Sequence, residues 1–477
     1  MSHIESTWRS VERIRSDSPV VHCITNTVAA NFAANAVIAV GGSPIMASEG
    51  LEIDQVVKIA SSFTVNIGTC SPTQIAAVEK ALDNLPSGIP WVLDPVGVAA
   101  TTYRQEVCQR LLKSYTPQVI KGNASEIISL AKCMNVWSPK ETLQNRGVDS
   151  TVTTKAALPA ARALAKKIGT VVAISGAIDF IVDSQRTVRI CNGHPLMAAI
   201  TASGCALTAV LGAFLANSTD IFWSTVHALS YFAVAGQLAA AEAEGTGSMH
   251  SKLLDYLYKT TYEQYYNTAR PLFDLSLYLV TDPHLNLGRS TADIVKDAVE
   301  AGVTIVQLRE KDCETGEFIQ RALAVKKVCD AHNVPFVIND RVDVALAVDA
   351  SGVHIGQGDI PVPLARKLLG ENKIIGLSVS TDHELELSRK YEHLVDYIGV
   401  GPVNPTKTKT NAKKSVGLDG LRQRAADSDS LVVAIGGIKQ EQVQEILEID
   451  EVSGIAVVTA ITMAEDVTAA TKALLRK

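Results

Sequence analysis

The sequence lacks the cysteine spacing that zinc sites and disulfide-rich domains require. Its eight cysteines stand at positions 23, 70, 108, 133, 191, 205, 313 and 329, and none of them forms a Cys-x-x-Cys pair. Structural zinc sites and small disulfide-bonded folds normally show such closely spaced pairs. The pattern therefore predicts reduced thiols in a cytosolic or organellar protein, and we expect a cytoplasmic location.

The sequence also lacks an excess of positive charge and any long apolar run. Its formal net charge is −6, which gives no support for binding to nucleic acid or to anionic membranes. Residues 1–18 carry charged side chains and no apolar segment of the signal-peptide type. The apolar run at 206–216 comes near the length of a membrane span, but it is better interpreted as a buried helix. We therefore expect small-molecule partners, and any phosphate site must be local.

The first half of the chain alternates short apolar runs with helical patterns. Strands are predicted at 20–24, 63–67, 91–93 and 118–120, helices at 28–40 and 54–61, a turn at 43–46, and a hairpin from 171–175 and 180–182. Strands that alternate with helices are typical of a parallel sheet covered on both faces. The pattern predicts a doubly wound α/β domain, which we place at residues 1–270.

The second half is more regular. Apolar strand candidates recur at 277–281, 303–308, 335–339, 352–356, 374–379, 397–401, 431–435 and 454–459, and helical stretches separate most of them. Eight strand–helix units in about 200 residues are the count of a compact (β/α)8 barrel. No low-complexity linker precedes this series, so we place the second domain at residues 275–477, close to the first.

The segment 401–409 is the clearest candidate for a phosphate site. It follows a predicted strand and contains two prolines, then two hydroxyls and two ammonium groups within 406–409. Hydroxyls and backbone N–H groups donate to phosphate oxygens, and lysine neutralises their charge. A solvated basic loop is the alternative. The position at the carboxyl end of a barrel strand favours the phosphate site.

Polar residues also follow the other predicted barrel strands. They are Gln307, Arg309, Lys311, Asn339, Asp340, Asp359, Ser378, Ser380, Gly436, Gly437 and Thr459. Active sites of (β/α)8 barrels lie at the carboxyl ends of the strands. Convergence of polar residues from several strands on one face therefore predicts an active site there.

In the first half, small residues precede a predicted helix that starts near Gly204. The free N–H groups of such a helix bind anions, and the helix dipole would lower the pKa of Cys205 and favour its thiolate. A packed, unreactive cysteine is the alternative. Asp94 and Glu126 follow two strands and could jointly hold Mg²⁺ on a nucleotide, or they could simply cap helices.

Several linked motifs in residues 15–260 resemble the hydroxyethylthiazole kinases. They are His22-Cys-Ile-Thr-Asn26, Gly42-Ser-Pro-Ile-Met46, Asn66-Ile-Gly-Thr69, Asp94-Pro-Val-Gly97, Lys121-Gly-Asn-Ala-Ser-Glu126 and Ser203-Gly-Cys205. The resemblance implies a ribokinase-like fold, with a thiazole site at Asn26, Met46 and Gly204, ATP contacts at Lys121, Asn123 and Ser175, metal-linked acids at Asp94 and Glu126, and Cys205 as a catalytic residue. Ala202 stands where the family usually has glycine, and Lys121 where it often has arginine.

Residues 275–477 resemble the thiamin-phosphate synthases. The matching motifs are Gln307-Leu-Arg-Glu-Lys311, Ile338-Asn-Asp340, His354-Ile-Gly-Gln357, the 401–409 segment, Ala434-Ile-Gly-Gly-Ile438 and 457–461. The resemblance implies Mg²⁺ at Asp340 and Asp359, pyrimidine diphosphate at Gln307, Arg309, Lys311, Asn339, Ser378 and Lys409, and thiazole phosphate at Thr406, Thr408, Gly437 and Thr459. Lys409 would also be catalytic. Asn404 replaces a common phenylalanine, and we expect it to alter the packing of the loop but not its polar groups.

Together the two resemblances predict a bifunctional enzyme of thiamin biosynthesis. The first domain would phosphorylate 4-methyl-5-(2-hydroxyethyl)thiazole with ATP and Mg²⁺. The second would couple the product to 4-amino-2-methyl-5-pyrimidinylmethyl diphosphate, also with Mg²⁺. The kinase resemblance implies a homo-oligomer, a trimer or hexamer formed through the first domain. Two alternatives stay open: an active synthase carrying a scaffold kinase, and a non-catalytic regulator that binds thiamin phosphate.

Overall fold

The computed structural model describes residues 3–138, 153–406 and 413–475. The chain divides into two compact units, one made of residues 4–184 and 188–269, the other of residues 270–477 with the short segments 1–3 and 185–187. The prediction that residues 1–270 and residues 275–477 are domains that fold independently stays a prediction.

The first unit is built on an eight-stranded sheet. Its strands are β1 (Val20–Ile24), β2 (Ser43–Ile45), β3 (Ser62–Asn66), β4 (Trp91–Asp94), β5 (Val119–Asn123), β6 (Val171–Ser175), β7 (Asp179–Val182) and β8 (Thr187–Ile190). Their order across the sheet is β2-β1-β3-β4-β5-β6-β7-β8. The pairs from β2 to β6 are parallel, and β7 pairs antiparallel with β6, which confirms the predicted hairpin.

Helices cover this sheet in two groups. The helices are α1 (His3–Asp17), α2 (Ala30–Val40), α3 (Ile53–Ile59), α4 (Pro72–Asn84), α5 (Thr102–Ser114), α6 (Ala124–Cys133), α7 (Leu158–Ile168), α8 (Ser203–Leu215), α9 (Ile221–Glu242), α10 (Thr246–Lys259) and α11 (Tyr262–Thr268). Helices α2, α8, α9 and α10 pack on one another, while α3 packs on α4 and α6 on both α5 and α7. Strands β3 and β4 are buried at every position, as a sheet covered on both faces requires. The predicted doubly wound α/β domain is confirmed, and its sheet is mixed rather than wholly parallel.

The predicted turn at 43–46 is wrong in one respect, because Ser43–Ile45 forms the edge strand β2. It pairs only with β1, through the partners Val20–Ser43, Val21–Pro44 and His22–Ile45. Proline has no N–H for a second neighbour, so an edge strand tolerates Pro44 where a central strand would not. A three-residue strand with proline at its centre has too short a pattern to be recognised in sequence.

The second unit is a closed barrel of eight parallel strands. They are β9 (Leu277–Val280), β10 (Ile305–Leu308), β11 (Phe336–Asn339), β12 (Gly352–Ile355), β13 (Ile374–Val379), β14 (Tyr397–Val400), β15 (Leu431–Ile435) and β16 (Val452–Val457), and β16 pairs with β9 to close the ring. Its helices are α12 (Thr291–Glu300), α13 (Thr315–Ala331), α14 (Val342–Ala347), α15 (Val362–Leu369), α16 (Asp382–Arg389), α17 (Gly417–Ala426), α18 (Val443–Leu447), α19 (Thr459–Thr462) and α20 (Val467–Ala473). The predicted (β/α)8 barrel is confirmed.

No helix in the part of the chain that the structure describes is both long enough and apolar enough to cross a membrane. The segment predicted as a buried helix lies in α8, where every position from Ala206 to Leu215 is buried. This helix packs against β1, β3 and β4. Its amino-terminal turn is thereby fixed close to the carboxyl ends of those strands.

Candidate active sites

Polar side chains in the first unit meet where β3 and β4 end and α8 begins. Asn66 and Asp94 are the last residues of their strands and are direct partners in the sheet. The Asn66 Nδ2 atom donates to Asp94 Oδ2 at 2.8 Å, and Asn26 Nδ2 donates to Asn66 Oδ1 at 3.0 Å. The structure therefore joins the predicted thiazole residue Asn26 to the predicted metal ligand Asp94 through Asn66.

Cys205 lies in the first turn of α8 against the same amides. Nδ2 atoms of Asn26 and Asn66 each lie 3.2 Å from its Sγ atom. Burial and the negative charge of Asp94 raise the pKa of Cys205, although Lys121 and the two amides oppose that shift. The expectation that the helix dipole would leave a low-pKa thiolate is therefore wrong. Desolvation by burial is the largest cause of the upward shift in the pKa of Cys205, and it favours the neutral thiol.

Asp94 is buried and only half satisfied. Its Oδ2 atom accepts from Asn66 and, at 2.6 Å, from the Thr208 hydroxyl. Its Oδ1 atom is buried with no hydrogen-bond partner among the described residues, and burial raises the pKa of Asp94 to about 6. The next helix, α5, is capped by Thr101, so the capping interpretation of Asp94 is wrong. A buried carboxylate oxygen without a donor fits a cation ligand.

Lys121 lies inside β5 and points toward the start of α8. Its Nζ atom donates to the Gly204 carbonyl at 3.0 Å and lies 4.0 Å from Asp94 Oδ2. The side chain is 5% exposed. The cluster therefore carries one buried ammonium group beside one buried carboxylate, and the predicted residues Lys121, Gly204, Cys205 and Asp94 are brought together.

Glu126 has a structural role that the sequence already offered as an alternative. Its Oε2 atom accepts from the Asn123 N–H at 2.8 Å, and the Asn123 side chain accepts from the Glu126 N–H, which forms a capping box at α6. Its Oε1 atom accepts from the Gly97 N–H at 2.9 Å. Glu126 thus ties the turn after β4 to the start of α6. Its role as a metal ligand stays a prediction.

Met46 and Ser175 lie at the ends of flanking strands. Met46 follows β2 and is partly exposed. The next carbonyl, that of Ala47, is 2.9 Å from Nε2 of the buried His22 ring. Ser175 ends β6, and its hydroxyl donates to the Gly122 carbonyl at 3.4 Å. No described hydrogen bond joins either residue to the cluster around Asp94, so their assigned contacts stay predictions.

In the barrel, Asp340 and Asp359 lie together beyond β11 and β12. The two carboxyl groups are hydrogen-bonded to each other. Burial and the neighbouring Asp340 carboxylate raise the pKa of Asp359, whose Oδ2 atom accepts from the Gly356 N–H at 2.7 Å. For Asp340 burial acts in the same upward direction, but the ion pair with Lys311 and the bond to Asp359 outweigh it and lower its pKa.

Two carboxyl groups that share a proton can instead share a divalent cation. Among the residues that the structure describes, no group of three or more His, Cys, Asp or Glu side chains could hold a metal. Mg²⁺ commonly takes only one or two carboxylates from the protein and completes its shell with water and substrate phosphates. The Asp340–Asp359 pair therefore fits the predicted Mg²⁺ site.

Two cationic side chains follow β10, the strand next to β11 in the barrel. Lys311 forms its ion pair with Asp340. Nη1 of Arg309 contacts Oδ2 of the buried Asp282 at 2.5 Å, and its backbone N–H donates to the Thr281 hydroxyl at 3.3 Å. Asp282 follows β9 and was not predicted as a site residue. Its signal was present in the sequence, because it is an acid directly beyond the first barrel strand.

Gln307 and Ser378 belong to the same hydrogen-bonded network inside the barrel. Gln307 is 4% exposed, and its Nε2 atom donates to the Tyr278 hydroxyl at 2.7 Å. Ser378 is partly exposed near the end of β13, with its Oγ atom 2.9 Å from His354 Nε2. Asn339, the last residue of β11, is buried directly before Asp340. Only Ser378 of these three is open toward solvent.

The loop after β14 packs on the loop after β15. The Asn404 N–H donates to the Gly436 carbonyl at 2.9 Å, and Asn404 Nδ2 donates to the Gly437 carbonyl at 3.1 Å and to Gln442 Oε1 at 2.8 Å. Gly437 has φ 66°, and a Cβ atom there would lie 2.8 Å from the Pro405 carbonyl oxygen. The Asn404 amide therefore joins the two loops, and the expectation that Asn404 leaves the polar groups of its loop unaltered stays a prediction.

The structure describes two of the four remaining residues that were predicted to bind phosphate. Thr406 is partly exposed at the end of the described segment, and Thr459 begins α19 with an exposed side chain. Thr408 and Lys409 lie outside the described residues. The contacts assigned to these four residues stay predictions.

Comparison with known proteins agrees with both units. The family model described as the hydroxyethylthiazole kinase family matches residues 11–263, and the model described as thiamine monophosphate synthase matches residues 277–461. A thiamine biosynthesis bifunctional protein ThiM/ThiE from Symbiobacterium thermophilum is 35% identical over 97% of this chain and 96% of its own length. The chain belongs to the ThiM/ThiE family of bifunctional thiamine-biosynthesis proteins. It is accordingly a transferase with two activities, a kinase and a synthase.

Single-activity relatives match the first unit of this ThiM/ThiE-family chain. A hydroxyethylthiazole kinase from Syntrophus aciditrophicus is 42% identical over 54% of this chain and 94% of its own length. A solved hydroxyethylthiazole kinase from Pyrococcus horikoshii covers 57% of this chain and 100% of its own, at 32% identity and a TM-score of 0.51. The family assignment favours the bifunctional enzyme over a scaffold kinase or a non-catalytic regulator.

Asn66 and Thr208 are site residues that the sequence reasoning did not assign. Both donate to Asp94 Oδ2, and Asn66 also contacts Cys205. The signals were local: Asn66 ends the strand next to β4, and Thr208 lies three residues after Cys205 on the same helix face. Their hydrogen bonds hold the buried carboxylate and leave its other oxygen free of donors within the described cluster.

Ala202 departs from the family pattern at the amino-terminal cap of α8, where its backbone has φ 67° and ψ 4°. This left-handed region favours glycine and costs a residue with a Cβ atom about 1 kcal/mol. The structure therefore gives a physical reason for the usual glycine, and Ala202 holds the turn before α8 under strain.

We expect Ala202→Gly to stabilise the first unit by about 0.5 kcal/mol, since the relieved strain exceeds the entropy lost by glycine. Thermal and denaturant unfolding of the full chain will measure it. Ala157→Gly is the matched control, because Ala157 is a buried residue at φ −89° that ends a 3-10 turn before α7, and glycine there should lower the stability. Equal effects of the two substitutions would contradict the strain at Ala202.

Proposed function

We propose that the first unit transfers a phosphoryl group from ATP to the side-chain alcohol of 4-methyl-5-(2-hydroxyethyl)thiazole. The cluster of Asn26, Asn66, Asp94 and Cys205 at the start of α8 carries this proposal. The N–H groups of the first turn of α8 can donate hydrogen bonds to an anion. Lys121 places a positive charge within the same cluster. These groups suit a phosphoryl group whose charge must be stabilised as it moves.

In this mechanism Cys205 orients the alcohol rather than removing its proton first. The raised pKa of Cys205 leaves a thiol, and Asn26 and Asn66 fix the position of its sulfur. Phosphoryl transfer through a loose transition state needs little deprotonation of the nucleophile before bond formation. Asp94, through its unpartnered Oδ1 atom, and Glu126 would hold Mg²⁺, which neutralises charge on the nucleotide phosphates.

We propose that the barrel joins the thiazole phosphate to 4-amino-2-methyl-5-pyrimidinylmethyl diphosphate and releases diphosphate. Departure of the diphosphate leaves a cation that the pyrimidine stabilises, so neutralising the leaving group matters more than an external base. Lys311 and Arg309 supply positive charge beside the acid pair, and Asp340 and Asp359 would hold Mg²⁺. Lys409, which lies outside the described residues, is proposed as a further catalytic cation.

The thiazole phosphate would bind where the loops after β14 and β15 meet. Gly436 and Gly437 have φ 96° and 66°, and adjacent backbone groups in such conformations form anion-binding concavities. Thr406 lies on the neighbouring loop. The proposal adds Thr408 and Thr459 from the resemblance alone.

The test is an assay of the purified full chain with thiazole alcohol, ATP, pyrimidine diphosphate and Mg²⁺. Thiazole phosphate should form without the pyrimidine substrate, and thiamin phosphate with diphosphate should form only when it is added. Supplying thiazole phosphate directly separates the two steps. Absence of either product from the folded chain would overturn the corresponding half of the proposal.

Asn404→Ala should raise the KM for thiazole phosphate about tenfold, because two side-chain hydrogen bonds that hold the Gly436–Gly437 loop are lost. The KM for pyrimidine diphosphate should change little. Steady-state coupling kinetics with each substrate varied will show the difference. The kinase rate of the same preparation is the control for concentration and folding, and equal rises in both KM values would contradict a local effect.

We propose that this chain is a cytoplasmic homo-oligomer, a trimer or hexamer formed through the first unit. The eight cysteines form no disulfide among the described residues, which suits a reducing compartment. Leu51 is 84% exposed, and Val28, Ile38 and Ile59 are also exposed apolar side chains of this unit. Exposed apolar residues of this size are candidates for burial between copies. Light scattering on the purified chain gives the mass, and a monomer at assay concentration would overturn the proposal.

A further inference from the structure

Five polar side chains form an unbroken hydrogen-bonded chain inside the barrel. Gln307 Nε2 lies 2.7 Å from the Tyr278 hydroxyl, which lies 2.7 Å from the Tyr397 hydroxyl. The Tyr397 hydroxyl lies 2.9 Å from His354 Nδ1, and His354 Nε2 lies 2.9 Å from Ser378 Oγ. We call this the Gln307–Ser378 chain. Both tyrosines are fully buried, so bulk water does not compete with these bonds.

With the Gln307 amide turned so that Nε2 faces Tyr278, the chain runs in one direction. An amide Nδ or Nε group only donates, so the Tyr278 oxygen accepts from Gln307 and its single hydrogen goes to Tyr397. Tyr397 in turn donates to His354 Nδ1. A neutral imidazole that accepts at Nδ1 carries its hydrogen on Nε2, and this hydrogen is donated to Ser378. The Ser378 hydroxyl therefore keeps its own hydrogen for another acceptor.

Glycine makes room for the chain. His354, Gly376 and Tyr397 are partners in register on β12, β13 and β14, so His354 and Tyr397 meet across the glycine. A Cβ atom at Gly376 would lie 2.3 Å from the Tyr397 hydroxyl oxygen and 2.6 Å from His354 Nδ1. Gly399, the partner of Ser378, would bring a Cβ atom 3.3 Å from His354 Cε1. The barrel interior at this level is therefore shaped around hydrogen bonds and not around apolar packing.

We propose that Tyr278 and Tyr397 are positioning residues for the coupling reaction, which act through His354 to aim the Ser378 hydroxyl as a donor. Ser378 is the one partly exposed residue of β13, and it lies near the carboxyl end of that strand. Its remaining hydrogen is thus available to an anionic or heteroaromatic acceptor of the substrate. The inference rests on the proposed binding role of Ser378 and extends it to two buried phenols.

The test is a double-mutant cycle on the coupling reaction of the full chain. Ser378→Ala should lower coupling turnover about tenfold to a hundredfold, the range for a hydrogen bond to a charged group. Tyr397→Phe should lower it about tenfold, and Tyr278→Phe less, because the bond from Tyr397 to His354 survives. In the Ser378→Ala background, Tyr397→Phe should have almost no further effect on the coupling rate, since the Ser378 hydroxyl through which Tyr397 acts is already absent.

Two internal comparisons separate positioning from general destabilisation. The kinase rate of each variant reports the concentration of folded chain, and Tyr391→Phe, at an exposed tyrosine of the same unit, is the matched control that should leave coupling unchanged. A Tyr397→Phe loss of equal size in both backgrounds would show a merely structural role and overturn the proposal. If Tyr397→Phe leaves the coupling rate unchanged while Ser378→Ala slows it, the positioning role of the Gln307–Ser378 chain is overturned and the binding role of Ser378 stands. If Ser378→Ala also leaves the coupling rate unchanged, the binding role of Ser378 is overturned as well.

Discussion

Asp340→Asn should lower the coupling rate by a factor of about 100 to 1,000 and leave thiazole phosphorylation unchanged. Asp340 is hydrogen-bonded to Asp359 and paired with Lys311. Replacing its carboxylate by an amide removes one negative charge from a site proposed to hold Mg²⁺ and the departing diphosphate. The magnitude is that of losing one group which stabilises charge in a transition state. The Mg²⁺ concentration that gives half-maximal coupling should rise in parallel.

Asparagine is the better substitution here because Asp340 has φ 62°. Asparagine tolerates the left-handed region, whereas alanine adds backbone strain to the loss of charge. Asp349→Asn is the matched control: Asp349 also has positive φ, at 50°, and also pairs with a lysine, Lys373. Both reactions are measured on each variant. A coupling rate unchanged by Asp340→Asn would falsify the metal-site assignment.

The barrel was predictable because its signal repeats. Eight apolar runs at regular spacing leave few alternatives, and each predicted strand lies within two residues of an observed one, even β16, which begins at Val452 rather than at 454. The pattern at 253–266 predicts one helical segment, but the structure divides it between two helices for a local reason. Thr260 and Thr261 end α10 and cap α11, so one helical pattern becomes two helices. A pair of threonines inside an apolar pattern is a weak signal that three-dimensional packing decides.

Site residues were predictable where the chemistry is at the end of a strand, and not where it depends on register. Asp340 and Asp359 stand beyond neighbouring strands, so their meeting followed from the barrel itself. The partnership of Tyr278 with Tyr397 spans 119 residues and joins side chains of β9 and β14, two strands that are not neighbours, inside the closed barrel. Likewise the raised pKa of Cys205 follows from burial beside Asp94, and one sequence position carries no measure of burial.

Cys205 separates two descriptions of the kinase reaction. Cys205→Ala should slow thiazole phosphorylation about a hundredfold if the sulfur orients the alcohol, which is the loss expected when a reacting group is misplaced by about 1 Å. Cys205→Asp should retain much more activity. The amides of Asn26 and Asn66, which now point at Sγ, are suitable donors for a carboxylate at the same place.

Cys133→Ala is the control for this pair, because Cys133 is a half-buried thiol of the same unit whose Sγ donates only to the Leu130 carbonyl among its described contacts. It should leave both reactions unchanged. The coupling rate, measured with added thiazole phosphate, reports the amount of folded chain and is used to correct the kinase rate of each variant. Equal phosphorylation by Cys205→Ala and the native chain would reduce Cys205 to a packing residue. A slow Cys205→Asp beside an equally slow Cys205→Ala would show that the site needs the neutral thiol, since a second carboxylate near the buried Asp94 raises the cost of charge there.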